Sequence, residues 1–128
     1  MSEVVLDASA VLAFLNQETG AEAVAELLDK AVISTVNLSE VVAKLSEKGI
    51  SEELVREFVE QLNVPVVSVD KEQAIIAGLL RIETKALGLS LGDRMCLALG
   101  LRLNHPVITT DRQWANLELE GLEIRVVR

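Results

Sequence analysis

Apolar residues in this chain switch between two spacings, and the switches mark out its elements. Short apolar runs at 3–6 (EVVL), 31–34 (AVIS), 64–69 (VPVVSV), 106–109 (PVIT) and 122–127 (LEIRVV) are the length of strands. Between them apolar positions recur at helical spacing. An Ala-rich helix is predicted over 8–15, and a second follows Gly20 with Ala21, Val24, Leu27 and Leu28 on one face. NLSEVVAKLSEK makes a third, stopped at Gly49, and Ser51 caps a fourth with Leu54, Val55, Phe58, Val59 and Leu62 on its apolar face. A long helix runs over 70–88, and GDRMCLALGLRL forms the last. Strands alternating with helices imply right-handed crossovers. The expected fold is α/β, a three-layer α/β/α sandwich around a central, mainly parallel five-stranded sheet.

Acidic residues fall at the handovers in this pattern. Asp7 follows the first strand in VVLDASAV, and Asp111 follows the fourth in VITTDRQW. Glu40 lies in VNLSEVVAKL, and Asp93 opens a helix in LSLGDRMCLAL. In an open parallel sheet the carboxyl ends of the strands border the crevice where ligands bind. Carboxylates brought there from separate segments repel one another unless a cation or shared protons occupy the pocket. Each acid also has a plainer reading. Asp7 and Asp111 can cap the turns that follow them, and Asn37-x-x-Glu40 and Ser90-x-x-Asp93 both fit a capping box. Capping leaves a second carboxylate oxygen free, so the two roles are compatible.

Composition narrows the class. The chain has 128 residues, half of them hydrophobic and a quarter charged, which suits a globular domain and excludes a disordered chain. No apolar run approaches membrane-spanning length, and MSEVVLD carries no basic leader, so a cytoplasmic protein with no membrane partner is expected. The single Cys96 excludes an internal disulfide and a Cys-rich zinc site, and its apolar neighbours make it a core residue. A net charge of −8 runs against nucleic-acid binding, but it is unevenly spread. Residues 1–64 carry 12 acids against 4 bases, whereas residues 65–128 carry 8 of each. Phosphate contacts would therefore come from the second half.

VVLDASAVLAFL, LSEV, LSLGDRMCLALG and ITTDRQW, in that order, resemble the PIN domain, and more closely the VapC-type toxin ribonucleases of toxin–antitoxin pairs. The resemblance spans essentially all of residues 1–128, which implies a single PIN domain. It further implies a Mg²⁺- or Mn²⁺-dependent ribonuclease, inhibited by a small antitoxin protein and forming a homodimer. The family's acids fall on Asp7, Glu40, Asp93 and Asp111, with Ser9 and Thr110 as hydroxyl neighbours.

The residues support that chemistry independently. Mg²⁺ takes oxygen ligands, a few carboxylates with waters and substrate phosphate. The one histidine, His105, reads as a loop residue, which leaves no histidine pair for metal-free RNA cleavage. Asp7, Asp93 and Asp111 are expected to hold metal, with Glu40 binding a second ion or orienting the attacking water. Ser9 and Thr110 could fix the carboxylates or bond the local backbone. Arg94 and Arg112 could hold RNA phosphates or pair with the acids beside them. Two alternatives of other classes remain. One is a PIN-like module that binds RNA or protein without cutting. The other is a phospho-receiver-like regulatory domain, although only one acid follows the first strand and LEIRVVR lacks that class's lysine. A metal-adhesion module would need a second serine where Val11 stands.

Overall fold

The computed structural model describes residues 2–128. Its strands are β1 (Val4–Leu6), β2 (Ala31–Ser34), β3 (Val66–Val67), β4 (Val107–Thr109) and β5 (Ile124–Val126). They form one sheet in the order β3-β2-β1-β4-β5, and every pairing is parallel. The helices are α1 (Ala8–Leu15), α2 (Ala21–Leu27), α3 (Thr35–Glu47), α4 (Glu52–Leu62), α5 (Lys71–Thr84) and α6 (Leu91–Leu103), with a 3-10 turn at Arg112–Asn116. The expected α/β architecture is present, and the sheet is parallel throughout. A phospho-receiver of the flavodoxin-like class would order its strands 2-1-3-4-5, so this sheet is a different one.

The pleat sorts side chains into two core layers. Val4 and Leu6 of β1, Ala31 and Ile33 of β2 and Ile108 of β4 pack with Val11 of α1, Val24 of α2, Val41 of α3 and Val55 of α4. The alternate residues Val5, Val32 and Val107 pack on the other face with Leu80 of α5 and Cys96, Leu97 and Leu99 of α6. Burial on both faces explains why these strands read as unbroken apolar runs.

Two strands are shorter than the sequence implies by more than one residue. The run at 64–69 narrows to Val66–Val67, where Pro65 has no N–H to donate and Val66 is exposed at the sheet edge. The run at 122–127 narrows to Ile124–Val126. A third difference concerns α3, which starts at Thr35. Its cap is Ser34, whose Oγ accepts from Val36 N at 3.3 Å. Asn37 and Glu40 therefore lie inside the helix and make no capping box. Trp114, the one tryptophan, is 1% exposed and belongs to the second core layer.

One apolar surface stays outside both layers. Ile75, Leu79 and Ile82, spaced along one face of α5, are 46%, 72% and 81% exposed, and Leu91 at the start of α6 is 60% exposed. Among the described residues no helix is long and apolar enough to cross a membrane.

The layering predicts where truncation matters. Leu97 is fully buried, and Leu97→Ala should cost about 2–5 kcal/mol in a urea melt. Leu54 is 47% exposed on α4, and Leu54→Ala should stay within about 0.5 kcal/mol of wild type. Similar losses at the two positions would contradict the packing described.

Candidate functional site

β1 is the point where the topology reverses, because the chain builds outward to β2 and β3 and then returns to lay β4 on β1's other side. Asp7 stands at the end of β1. Its backbone is extended and its Oδ1 accepts from Ala10 N at 2.9 Å, which caps α1. Ser9 Oγ donates to the same oxygen at 2.7 Å. Ser9 then reaches across to the end of β4, 3.2 Å from Thr109 Oγ1, and its oxygen accepts from Thr110 N at 3.0 Å.

Asp7 is only 4% exposed, and burial raises its pKa to about 6 from an ordinary 3.8. Hydrogen bonds from Thr109, Ser9 and the Ala10 N–H oppose the rise, and the charge of Asp93 adds to it. Asp93 is half-buried at the start of α6. The capping box expected there is present, with Asp93 N donating to Ser90 Oγ at 3.1 Å and Ser90 N donating to Asp93 Oδ2 at 2.9 Å.

Glu40 arrives from α3. Its Oε1 accepts from Asn37 Nδ2 at 2.8 Å, and the same Nδ2 donates to Gly92 O of α6 at 3.0 Å. Burial raises the Glu40 pKa; the Asn37 hydrogen bond lowers it, the Asp93 charge raises it and Lys44 lowers it. Asn37 is 1% exposed and its Oδ1 is buried without a partner, an arrangement that costs about 1–3 kcal/mol.

Asp93 thus lies within electrostatic reach of both Asp7 and Glu40. The buried Cys96 thiol beneath them registers all three, being pushed well up by burial first and then by Asp7, Asp93 and Glu40. Asp111 is exposed just past the end of β4. Its Oδ1 caps the Arg112–Asn116 turn by accepting from Gln113 N at 2.9 Å, and its own N–H donates to Thr109 Oγ1 at 3.1 Å.

The neighbours differ from expectation in three ways. Thr109, not Thr110, supplies the hydroxyl beside Ser9 and Asp7. Thr110 contributes its backbone, its N–H to Ser9 and its carbonyl to Arg128 Nη1 at 3.3 Å. Adjacent residues of an extended chain point to opposite sides, so only one of the two threonines can face Ser9. Arg94 turns onto α5, with Nη1 donating to Ala77 O at 2.9 Å and Nε buried without a partner. Arg112 is exposed, and neither arginine pairs with an acid. Among the described residues the ion pairs are Lys44–Glu47, Arg56–Glu52 and Arg125–Glu123. Lys44 therefore bridges to Glu47 and not to Glu40.

A divalent cation is the group this arrangement has to be tested against. The donors are hard carboxylate oxygens, and an acid with a raised pKa beside other acids is the electrostatic state a cation relieves. Among the described residues no three His, Cys, Asp or Glu side chains are grouped closely enough to hold a metal between them. The hydrogen bonds account for this, since Asp93 is turned onto Ser90 N and Asp111 onto Gln113 N. Mg²⁺ needs only one or two protein carboxylates, the rest of its shell being water and substrate, so the residues fit such an ion. Two grooves lie elsewhere. One of ≈ 530 Å³ between α3 and α4, lined by Leu38, Val42, Val55 and Val59 among others, and one of ≈ 560 Å³ beside residues 17–23 include none of the four acids.

The family follows from comparison with known proteins. The PIN domain model matches residues 4–119, and the chain belongs to the PIN domain family. No curated protein matches the sequence. Among solved structures, the chain is similar to VapBC2 from Rickettsia felis bound to a promoter DNA fragment, with 17% identity, 98% of each chain covered and a TM-score of 0.75. DNA-bound VapBC from Salmonella typhimurium gives 22% identity, 98% of each chain and a TM-score of 0.75. VapBC-5 from Mycobacterium tuberculosis, a toxin–antitoxin system, gives 23% identity, 99% and 100% coverage and a TM-score of 0.67. The fold is shared with these complexes.

Burial of Asp7 predicts an inverted pH dependence. The folded chain holds the Asp7 proton up to about pH 6, whereas an unburied Asp releases it near 3.8. Folding is therefore favoured most below the lower value, and stability falls as pH rises through that interval. At ~1.4 kcal/mol for each pH unit between the two values, the loss by pH 7 is about 3 kcal/mol. Asp7→Asn keeps the cap. In EDTA at pH 7 it should be more stable than wild type by up to about 3 kcal/mol, with the gap closing below about pH 4. Urea melts at both pH values check this, and equal stability at pH 7 would remove the cost assigned to Asp7.

Proposed function

We propose that this chain is a divalent-metal-dependent endoribonuclease, the toxin of a toxin–antitoxin pair, acting as one PIN domain over residues 1–128 in the cytoplasm. The observation that carries the reading is the gathering of Asp7, Glu40 and Asp93, from β1, α3 and α6, at the switch point of a parallel sheet. Asp7 is kept buried there at a cost in stability, the mark of a residue retained for something other than folding. Family membership and the fold shared with toxin–antitoxin complexes support the same reading.

In this reading Asp7 and Asp93 hold Mg²⁺ or Mn²⁺, Asp111 joins from the rim, and Glu40 binds a second ion or orients the attacking water. A bound divalent cation would lower the pKa of a water and polarise the scissile phosphoryl group. Ser9 and Thr109 orient Asp7, so its carboxylate meets the cation already fixed. Arg112 is exposed beside Asp111 and takes the phosphate-contact role, whereas Arg94 is committed to Ala77.

Two partners complete the reading, a small antitoxin protein and a second copy of the chain. The stripe of Ile75, Leu79 and Ile82 supports the second. A two-fold dimer requires one patch to face itself, and a single apolar helix face meets that condition. Sedimentation should find a dimer, and Leu79→Lys should make it monomeric. A wild-type monomer would remove the homodimer from the reading, and a dimer unaffected by Leu79→Lys would place its contact elsewhere.

Nuclease activity has a direct test. Purified protein should cut single-stranded RNA with Mg²⁺ or Mn²⁺ and stop in EDTA. Asp7→Asn and Asp93→Asn should each lower the rate more than ~100-fold, the scale on which losing one electrostatic stabiliser registers. Glu52→Gln, altering an exposed pair with Arg56, should be silent. The competing reading is a PIN scaffold that binds RNA or protein without cutting, favoured by the absence of a closely grouped acid triad among the described residues. RNA retained but never cleaved would select it, and cleavage undiminished by EDTA would sink the metal mechanism.

A further inference from the structure

Asn37 has no role in the proposed chemistry, yet its amide has one tenable orientation. Nδ2 meets two acceptors, Glu40 Oε1 at 2.8 Å and Gly92 O at 3.0 Å. Turning the amide over would set its oxygen against a carboxylate and a carbonyl, so the donor must face them. The same orientation strands Oδ1 without a partner in a buried position. A leucine of similar size could fill the space between α3 and α6 without that penalty. What it could not do is donate to Glu40.

Gly92 meets the same carboxylate from α6. A Cβ built there would lie 2.6 Å from Glu40 Cδ and 2.7 Å from Oε1, closer than real contacts allow. Any other residue at this position would push either Glu40 or the whole first turn of α6 aside. Glu40 is therefore gripped by an amide from its own helix and laid against bare backbone of the facing one. Asp93, whose charge Glu40 feels, is the next residue along.

We propose that Asn37 and Gly92 are positioning residues for Glu40. Asn37 holds the carboxylate by hydrogen bond and Gly92 leaves the space it occupies, so that Glu40 faces a divalent cation from one fixed place. The proposal rests on the reading of Glu40 as part of a cation site. It also gives the buried, half-satisfied amide a purpose that packing alone does not. Because the grip joins α3 to α6, it fixes Glu40 relative to Asp93 as well as to its own helix.

Mn²⁺ affinity, measured by the loss of the free-ion signal in electron paramagnetic resonance, tests this without relying on catalysis. Asn37→Leu, Gly92→Ala and Glu40→Gln should each weaken binding roughly 10- to 100-fold, the range found when groups orienting a metal ligand are removed. The decisive variant is the double Asn37→Leu/Glu40→Gln. It should bind no more weakly than Glu40→Gln alone, because a residue acting through Glu40 has nothing left to act on. Additive losses, or unchanged affinity in Asn37→Leu and Gly92→Ala, overturn the proposal while leaving the cation site standing. Wild-type affinity in Glu40→Gln removes Glu40 from the site and the proposal with it. Circular dichroism confirms folding of each variant. Should Asn37→Leu fail to fold, Gly92→Ala and its double with Glu40→Gln decide the matter, since that change leaves the amide in place.

Discussion

β1 lies between β2 and β4, with apolar side chains buried on both its faces, and the site depends on that confinement. A strand flanked on both sides and covered above and below can present a polar group only at its tip. Asp7 is that group, and the pocket grows outward from it. Ser9 ties it to β4 through Thr109 and the Thr110 N–H, so the ends of two neighbouring strands are locked in register by one hydroxyl. α3 and α6 then bring Glu40 and Asp93 to the same edge from opposite faces of the sheet. Slipping β1 by one residue would turn Asp7 to the opposite side and exchange Val4 and Leu6 with Val5 between the two core layers.

The polar side chains at this edge each satisfy some local need of the backbone while leaving a cost unpaid elsewhere. Asp7 caps α1 but is buried against its own charge. Asp93 closes the capping box of α6 but faces two other acids. Asn37 joins two helices but leaves an oxygen stranded. Stranded buried atoms also occur away from this edge, at Gln73 Oε1 and at Trp114 Nε1 in the second core layer, but the acids' compromises fall here. A fold selected for stability alone would fill these positions with smaller caps and apolar side chains.

Much of this was legible in the order of residues because strands buried on both faces leave an unmistakable apolar run. An acid that ends such a run is placed by the run itself, which is why Asp7 and Asp111 stand at strand ends as expected. Asp93 was legible for a different reason, since Ser90-x-x-Asp93 begins a helix with no competing cap nearby. Asn37 and Glu40 were misassigned because a capping box and two neighbours inside a helix share the same three-residue spacing. Only the true cap at Ser34 tells them apart. Side-chain direction was not legible at all. Which of two adjacent threonines turns inward, whether Arg94 faces solvent or Ala77, and how near Asp111 comes to the other acids depend on packing between segments distant in sequence. Gly92 carried no local signal, because its need to be bare comes from Glu40, on another helix.

The edges of the sheet narrow the ways in which another chain can approach. β3 offers only Val66 and Val67 as an open edge, with Pro65 interrupting it, and β5 at the other side carries Arg125 within its three residues. Short, interrupted or charged edges make poor templates for an incoming strand. A polypeptide that recognises this protein by extending its sheet would find too few backbone groups to bond. Recognition by other proteins has to be written on the helices, in side chains and not in backbone. It is therefore open to change by single substitutions in a way that strand pairing is not.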